Sequence, residues 1–558
     1  MSSPIGKTLR RFQVGGLPLI QAILRRMGLK DLLEDHVPVA TRQSVSAVDV
    51  LLLLAVNLTV ARDPLYELAQ WVEAQDLRVL GYRRRPTIRF TDDRFARALD
   101  ALYRADRASL LTRLVVAVVK QFALDLGRIH NDSTSISTFG RIPGQTRTGF
   151  AMLHGYSKDH RPDLRQLVFS LSLCADGAVP VHHKVYSGNR NDDTTHIETW
   201  ETLRQIHGKP GFLYVGDSKL CTREQLAHIT GQGGRAITSP PQNLLEIREF
   251  GDRLRAGPPP VKRRIWRRPK PNDEAKSEYF DLFDGRYYSR HGNYPIWWFA
   301  SNEKRVRDRE ERLARILAAE SALAEFKLRV NAHGFKKKGK ILRTTRQILE
   351  KHRVDAWLEV TIRTHIERWR QRRRGRPGKN PRYQIRGRAS YSLQWSRKTQ
   401  ALRLERRMDG IFPLLCTDPS VPPKEVLKAY KYQPRIEKRF SQFKSFHRAA
   451  PLLFKRIDRV EANMFVFFIA LMIQALLERQ VRQELQRTRA RPLKLYPEDR
   501  EAPHPTTSQI LKTFDGLSSY QLTDNNQTVE EYHDPLSDTH RKVIALFNIT
   551  EQTFWEPA

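Results

Sequence analysis

Three acidic residues stand where a folded sheet could gather them. Asp132 ends a β-type run in "IHNDST", Asp217 ends another in "YVGDSK", and Glu437 follows Pro434 in "QPRIEK", where a helix restarts. Proline suits the first turn of a helix, which sets Glu437 within that turn. If the first and fourth strands of a mixed sheet are neighbours, the two aspartates lie side by side, and a helix crossing that edge delivers the glutamate. Three carboxylates around one point repel unless cations stand among them. Magnesium takes hard oxygen ligands and keeps positions open for water and phosphate oxygens. Two such ions about 3.5–4 Å apart stabilise both the attacking and the leaving oxygen of a phosphodiester displacement. Plainer readings remain open for each acid. An Asp before Ser is a turn or cap residue, and a Glu with cations one helical turn away is a surface ion pair. Asp159, Asp163, Asp192 and Asp193 compete for the same role, while His160 in "KDHRPD" reads as part of a basic hairpin flank.

The charge around these acids points to their substrate. The 558 residues include 97 Lys and Arg against 61 Asp and Glu, a net +36, and an excess of that size favours nucleic acid as partner. The segment 430–444, "YKYQPRIEKRFSQFK", has five basic residues around the single Glu437. Residues 368–388 carry ten basic residues and no acidic one, and read as a flexible, phosphate-tracking loop. The sign reverses from Glu501 to Ala558, with nine acidic and three basic residues, so this tail is expected to face away from the DNA. Three cysteines, Cys174, Cys221 and Cys416, form no CxxC pair, which argues against a zinc finger or a disulfide scaffold and suits the cytoplasm. The N-terminus lacks the apolar core of a signal peptide. The most apolar run, Met464 to Ile473, has ten residues against the roughly 20 that a bilayer needs. It reads as a buried helix, and no membrane partner is expected.

The elements that must hold the acids follow from periodicity. Residues 14–122 repeat apolar side chains at helical spacing, with Ser46 as an N-cap before "AVDVLLLLAVNLTVAR". This predicts an all-α N-terminal domain over 1–122, for DNA binding or dimerisation. From about 124 three β-type runs appear, the second and third joined by an Asp-Gly turn, followed by alternating helix and strand. That pattern predicts an α/β (α+β) mixed sheet over 123–244. A Pro- and Arg-rich connector near 257–271 then leads to strands around 278–300 and helical stretches at roughly 303–330 and 341–371. Residues 245–412 read as an inserted module with the basic loop, 413–490 as the resumed catalytic domain and 491–558 as an acidic tail. Of the pair Trp297-Trp298, strand alternation turns one indole to the core and leaves the other free to stack on a base.

The chain resembles bacterial insertion-sequence DDE transposases of the YREK-signature group, in the IS-sixteen-thirty-four-like branch of the IS-four superfamily. Their third acid lies in a Tyr-x2-Arg-x3-Glu-x6-Lys pattern, and Tyr430, Glu437 and Lys444 fall in its register, with Gln433 at the arginine position and Arg435 two residues on. "RDPLYELAQWVE", "TDDRFARALDALYRAD", "YSGNRNDDTT" and "DGIFPLLCTDP" resemble the same branch, in the same order, over roughly residues 14–485. The resemblance implies an RNase H-like catalytic domain interrupted by an insertion. It implies that Asp132, Asp217 and Glu437 bind two Mg²⁺ ions, which Mn²⁺ can replace. Tyr430, Arg435 and Lys444 would contact DNA phosphates, and a homodimer would hold the element's two inverted repeats and join them to target DNA. Two other readings stay open: a metal-dependent nuclease of the same fold without strand transfer, and a non-catalytic DNA-binding descendant.

Overall fold

The apolar run after Ser46 forms the helix Ala47–Val60, and the Ser46 side chain accepts a hydrogen bond from the Asp49 N–H at 3.0 Å. That satisfies one of the donors a first helical turn leaves open. The structure, a computed structural model, describes residues 7–556 except 39–44, 62, 83–89, 139–141, 156–162, 191–193, 258–259, 271–272, 333, 373–382, 445–455, 497, 499 and 525–526. The chain divides into two units, one of Met1–Thr238 with Leu427–Ala558 and one of Ser239–Val426.

In the first unit, helices Leu17–Met27, Leu29–His36, Ala47–Val60, Leu68–Ala74, Asp92–Arg104 and Arg107–Phe122 fill the N-terminal part. Gly28 adopts φ 62 between the first two, a left-handed turn that lets one helix end and the next begin at once. A strand, Thr8–Gln13, precedes them and pairs antiparallel with Ser518–Asp524, which pairs in turn with Gln527–His533. The acidic C-terminal segment is therefore folded, and one of its acids, Glu531, lies 2.7 Å from Arg78.

The central sheet explains where the candidate acids sit. Its first three strands, Arg128–Thr138, Arg165–Cys174 and Pro180–Ser187, form an antiparallel meander. Gly177 at φ 80 makes the expected Asp-Gly turn between the second and third. The fourth and fifth, Leu213–Val215 and Arg235–Thr238, run parallel to the first, giving the order third, second, first, fourth, fifth. Helices His196–His207 and Arg223–Gly231 make the crossovers. A meander continued by parallel strands beside its first strand is the RNase H-like arrangement. The helix Ile457–Arg487 packs on the third strand and on helices Ala47–Val60 and Asp92–Arg104. It is long and apolar enough to cross a membrane, but 94% of its most apolar window is buried in protein, so it serves as a core helix.

The second unit has four antiparallel strands in the order Ile411–Cys416, Ile296–Ser301, Asp273–Phe283 and Lys262–Lys270. The last corrects the reading of 257–271 as a connector. Cross-strand contacts hold it in the sheet: Trp266 stacks on Phe280 at 5.0 Å and Arg264 pairs with Asp281 at 3.1 Å. The long helix Asn302–Arg329 matches expectation, but the helix expected to reach 371 ends at His352. Arg353 caps it in the left-handed region at φ 53, and Leu358–Arg372 pairs with Tyr383–Arg397 as an antiparallel ribbon. The residues Leu358, Val360, Ile362, Thr364 and Ile366 alternate with mostly polar ones, a strand period that the surrounding charges hide. The basic residues at 368–372 and 383–388 thus lie on strands, while 373–382 fall outside the described residues. Trp298 is buried and stacked on Phe250 at 3.7 Å, and Trp297 is half-buried with its Nε1 sealed from water. Both indoles are packed into the protein.

Candidate active site

Asp132 lies within the first strand, not at its end as its sequence suggested, because pairing with the second strand continues to Thr138 with Arg165. What ends near Asp132 is the parallel neighbour. The fourth strand pairs only Leu213, Tyr214 and Val215, with Arg128, Ile129 and His130. The same register, extended two residues past the last pair, matches Asp132 with Asp217. Asp217 itself lies past the end of its strand, in the turn that follows. Asp132 is half-buried, and its Oδ1 accepts the Ser133 N–H at 2.7 Å.

Asp217 follows Gly216 and caps the short turn Ser218–Leu220, its Oδ1 accepting the Lys219 N–H at 2.9 Å. Its side chain is 40% exposed and so free to take a ligand. Behind it stands a residue that the sequence did not single out. His196 is buried, with Nε2 3.9 Å from Asp217 Oδ1 and Nδ1 3.0 Å from the Tyr214 hydroxyl. Its only signal was a position at the start of the helix after the third strand.

Glu437 sits in the first turn of the helix Pro434–Lys444, as predicted, and is exposed, while Ile436, Arg439 and Phe440 are buried beneath it. The residues just before this helix fix its start on the first strand. The Tyr432 ring lies 4.9 Å from the His130 ring, and Gln433 Nε2 approaches the Asn131 carbonyl at 3.5 Å. Glu437 is one helical turn beyond Gln433, on the same side of the helix as that contact. Gln433 thus acts as a bracket against the residue next to Asp132. Its Oε1 is buried beside the His130 ring. His130 stays neutral here, pushed down to about 3 by burial and by Arg128.

Tyr430 ends the helix Pro423–Tyr430 and is half-buried, and Arg435 is exposed. Lys444 closes the next helix, but its side chain lies outside the described residues, as do Asp159, His160, Asp192 and Asp193. Asp163 is described and exposed. Among the described residues no three His, Cys, Asp or Glu side chains stand close enough to hold one metal ion. The donor set nevertheless fits a hard divalent cation. It offers two register-matched aspartates, one of them well exposed, and an exposed glutamate on a helix anchored beside them.

The sequence profile of a family described as a domain of unknown function, DUF4277, matches residues 10–116, the helical N-terminal part. No curated protein matches the chain. A solved structure described as the cryo-EM structure of a piggyBac transposase synaptic complex with hairpin DNA is similar over 91% of this chain and 81% of that one, at 8% identity and a TM-score of 0.38. A likeness this slight carries no functional argument.

Proposed function

We propose that the chain is a DNA transposase that cleaves the ends of an insertion element and joins their 3′-hydroxyls to target DNA. The register match of Asp132 with Asp217, in a sheet of RNase H-like order, carries the reading. Asp132, Asp217 and Glu437 would hold two Mg²⁺ ions, or Mn²⁺ in their place, which when bound stabilise the attacking and leaving oxygens of the displacement. The chain's own residues do the rest. Gln433 and Tyr432 set the helix that presents Glu437. The Lys219 N–H fixes the Asp217 carboxylate, with His196 behind it. Tyr430, Arg435 and Lys444 would bind DNA phosphates, Arg435 from the face of its helix opposite Glu437. In this reading 1–122 binds DNA or dimerises, 123–244 and 413–490 form the catalytic domain around the insertion 245–412, and 491–558 is the acidic segment. A cytoplasmic homodimer would hold two inverted repeats at once.

A second reading is a non-catalytic DNA-binding descendant, favoured by the absence of a gathered three-residue ligand group among the described residues. Incubating the full chain with end-bearing DNA and Mg²⁺ separates the readings. Cleaved and joined products support transposition, cleavage alone a nuclease, and binding without either the non-catalytic reading.

Both enzyme readings need DNA held by charge, and the ribbon of the second unit supplies it. Arg368, Arg370, Arg386 and Arg388 are exposed along its outer half, among the exposed Ile366, Trp369, Tyr383 and Ile385. A two-stranded ribbon fits the major groove. Replacing the four arginines with glutamine is expected to weaken duplex binding equally across sequences. It should also reduce the slope of log affinity against log salt by up to about 3.6, near 0.9 per lost phosphate contact. An unchanged slope in a salt titration removes the ribbon from the DNA interface.

A further inference from the structure

Behind the helix Pro434–Lys444, away from Glu437, lies a cavity of about 240 Å³ between that helix, the helix Ile457–Arg487 and the turn at 176–178. Five cations line it against two carboxylates. Arg479 is committed to Asp176, with Nε–Oδ1 at 2.9 Å and Nη2–Oδ2 at 2.5 Å. The other carboxylate, Glu478, is shared: its Oε2 lies 3.1 Å from Arg439 and 3.2 Å from Arg482. Its Oε1 already accepts the Thr507 N–H at 3.1 Å. One arginine charge is therefore left over.

Arg435 and Lys438 add two more, since neither side chain has an ion-pair partner among the described residues. Arg482 donates to Glu478 and to the Pro505 carbonyl at 2.8 Å, yet its buried Nε has no partner among the described residues. Three uncompensated positive charges and an orphaned guanidinium N–H thus meet in one concavity. Burial holds the Arg482 pKa down and, against the pull of Glu478, so do Arg435 and Arg439. Among the described residues no anion balances this excess.

We propose that this cavity binds a phosphate oxyanion, with Arg482, Lys438 and Arg435 as its ligands and the buried Arg439 and Arg479 as a fixed basic wall. Guanidinium forks match phosphate oxygens in pairs. The volume falls below the roughly 300 Å³ at which pockets for drug-sized ligands begin, so it suits phosphate or pyrophosphate better than a whole nucleotide. The site does not depend on whether Asp132, Asp217 and Glu437 are catalytic. Its anion comes either from solution or from a DNA backbone reaching around the helix.

Titrating the full chain with pyrophosphate, at fixed chloride, tests this. Saturable one-to-one binding is expected, weakened about tenfold or more by Arg482→Gln, the effect of one lost charge-assisted hydrogen bond. Lys438→Gln should do the same while leaving the Arg439 and Arg482 pairs with Glu478 in place, which covers the case in which Arg482→Gln fails to fold. Arg113→Gln, which breaks only the exposed pair with Asp35, should bind as the wild type does. Competition by a short duplex would assign the anion to DNA, and pyrophosphate binding unaffected by saturating duplex would assign it to solution. No pyrophosphate binding, or binding unchanged in both variants, overturns the proposal.

Discussion

Asp132→Asn and Asp217→Asn should each lower cleavage of end-bearing DNA by more than about a hundredfold while leaving duplex affinity near that of the wild type. Removing even an outer-shell partner of a metal ligand commonly costs 10–100-fold, so removing a ligand should exceed that. Asparagine is the informative replacement here. In both residues Oδ1 accepts a backbone N–H, from Ser133 at 2.7 Å and from Lys219 at 2.9 Å. The amide oxygen keeps that bond, so the local fold survives while the charge that would hold a cation is lost. Glu437→Gln is cleaner still, because Glu437 is exposed and the residues that seat its helix, Ile436 and Phe440, are untouched. Single-turnover cleavage with Mg²⁺, beside a binding isotherm for the same duplex, separates chemistry from affinity. Wild-type cleavage rates in all three variants would remove the acids from the mechanism and place the catalytic groups elsewhere in the chain.

The two aspartates differed in how plainly the sequence announced them. "GFLYVGDSKL" runs apolar and then breaks at Gly216-Asp217, so the end of that strand was legible. Around Asp132 the residues are Asn, Ser and Thr, which look like a turn, yet they are buried between neighbouring strands and the strand continues to Thr138. Burial of small hydroxyl side chains in a sheet depends on partners such as Ser170 and Ser172, both hydrogen-bonded to Asn131, and these lie far along the chain. The strand Leu358–Arg372 was hidden differently. Its apolar alternation is real, but Arg, Glu and His on the other face also suit a charged helix. Long-range contacts left no local trace at all. Gln433 looked like a mere departure from a signature, and only the fold reveals its approach to Asn131. The pairing of Thr8–Gln13 with Ser518–Asp524 is of the same kind.

Glu478 carries the largest expected effect on stability, and it too was invisible in the sequence. It lies in the middle of an apolar helix, 2% exposed, where an unpaired carboxylate would be very costly. Arg439, Arg482 and the Thr507 N–H pair it, so deleting it strands a buried arginine. Glu478→Ala should therefore destabilise the first unit by about 3–5 kcal/mol. Slower hydrogen exchange in the helix Ile457–Arg487 of the wild type than of the variant would locate the loss. Burial acts to raise the Glu478 pKa, but Arg439, Arg482, Thr507 and Lys438 outweigh it and hold the folded value below the ordinary one. A depressed carboxyl contributes stability that is present above its unfolded pKa, near 4.3, and lost as pH falls through the folded value. The wild type should thus lose stability on acidification below about pH 4.3 more steeply than Glu478→Gln, which has no proton to take up. Denaturant midpoints at pH 7 and through the acid range measure both terms. Parallel acid limbs would mean that the arginines do not favour the charged form, and that the cluster holds by packing alone.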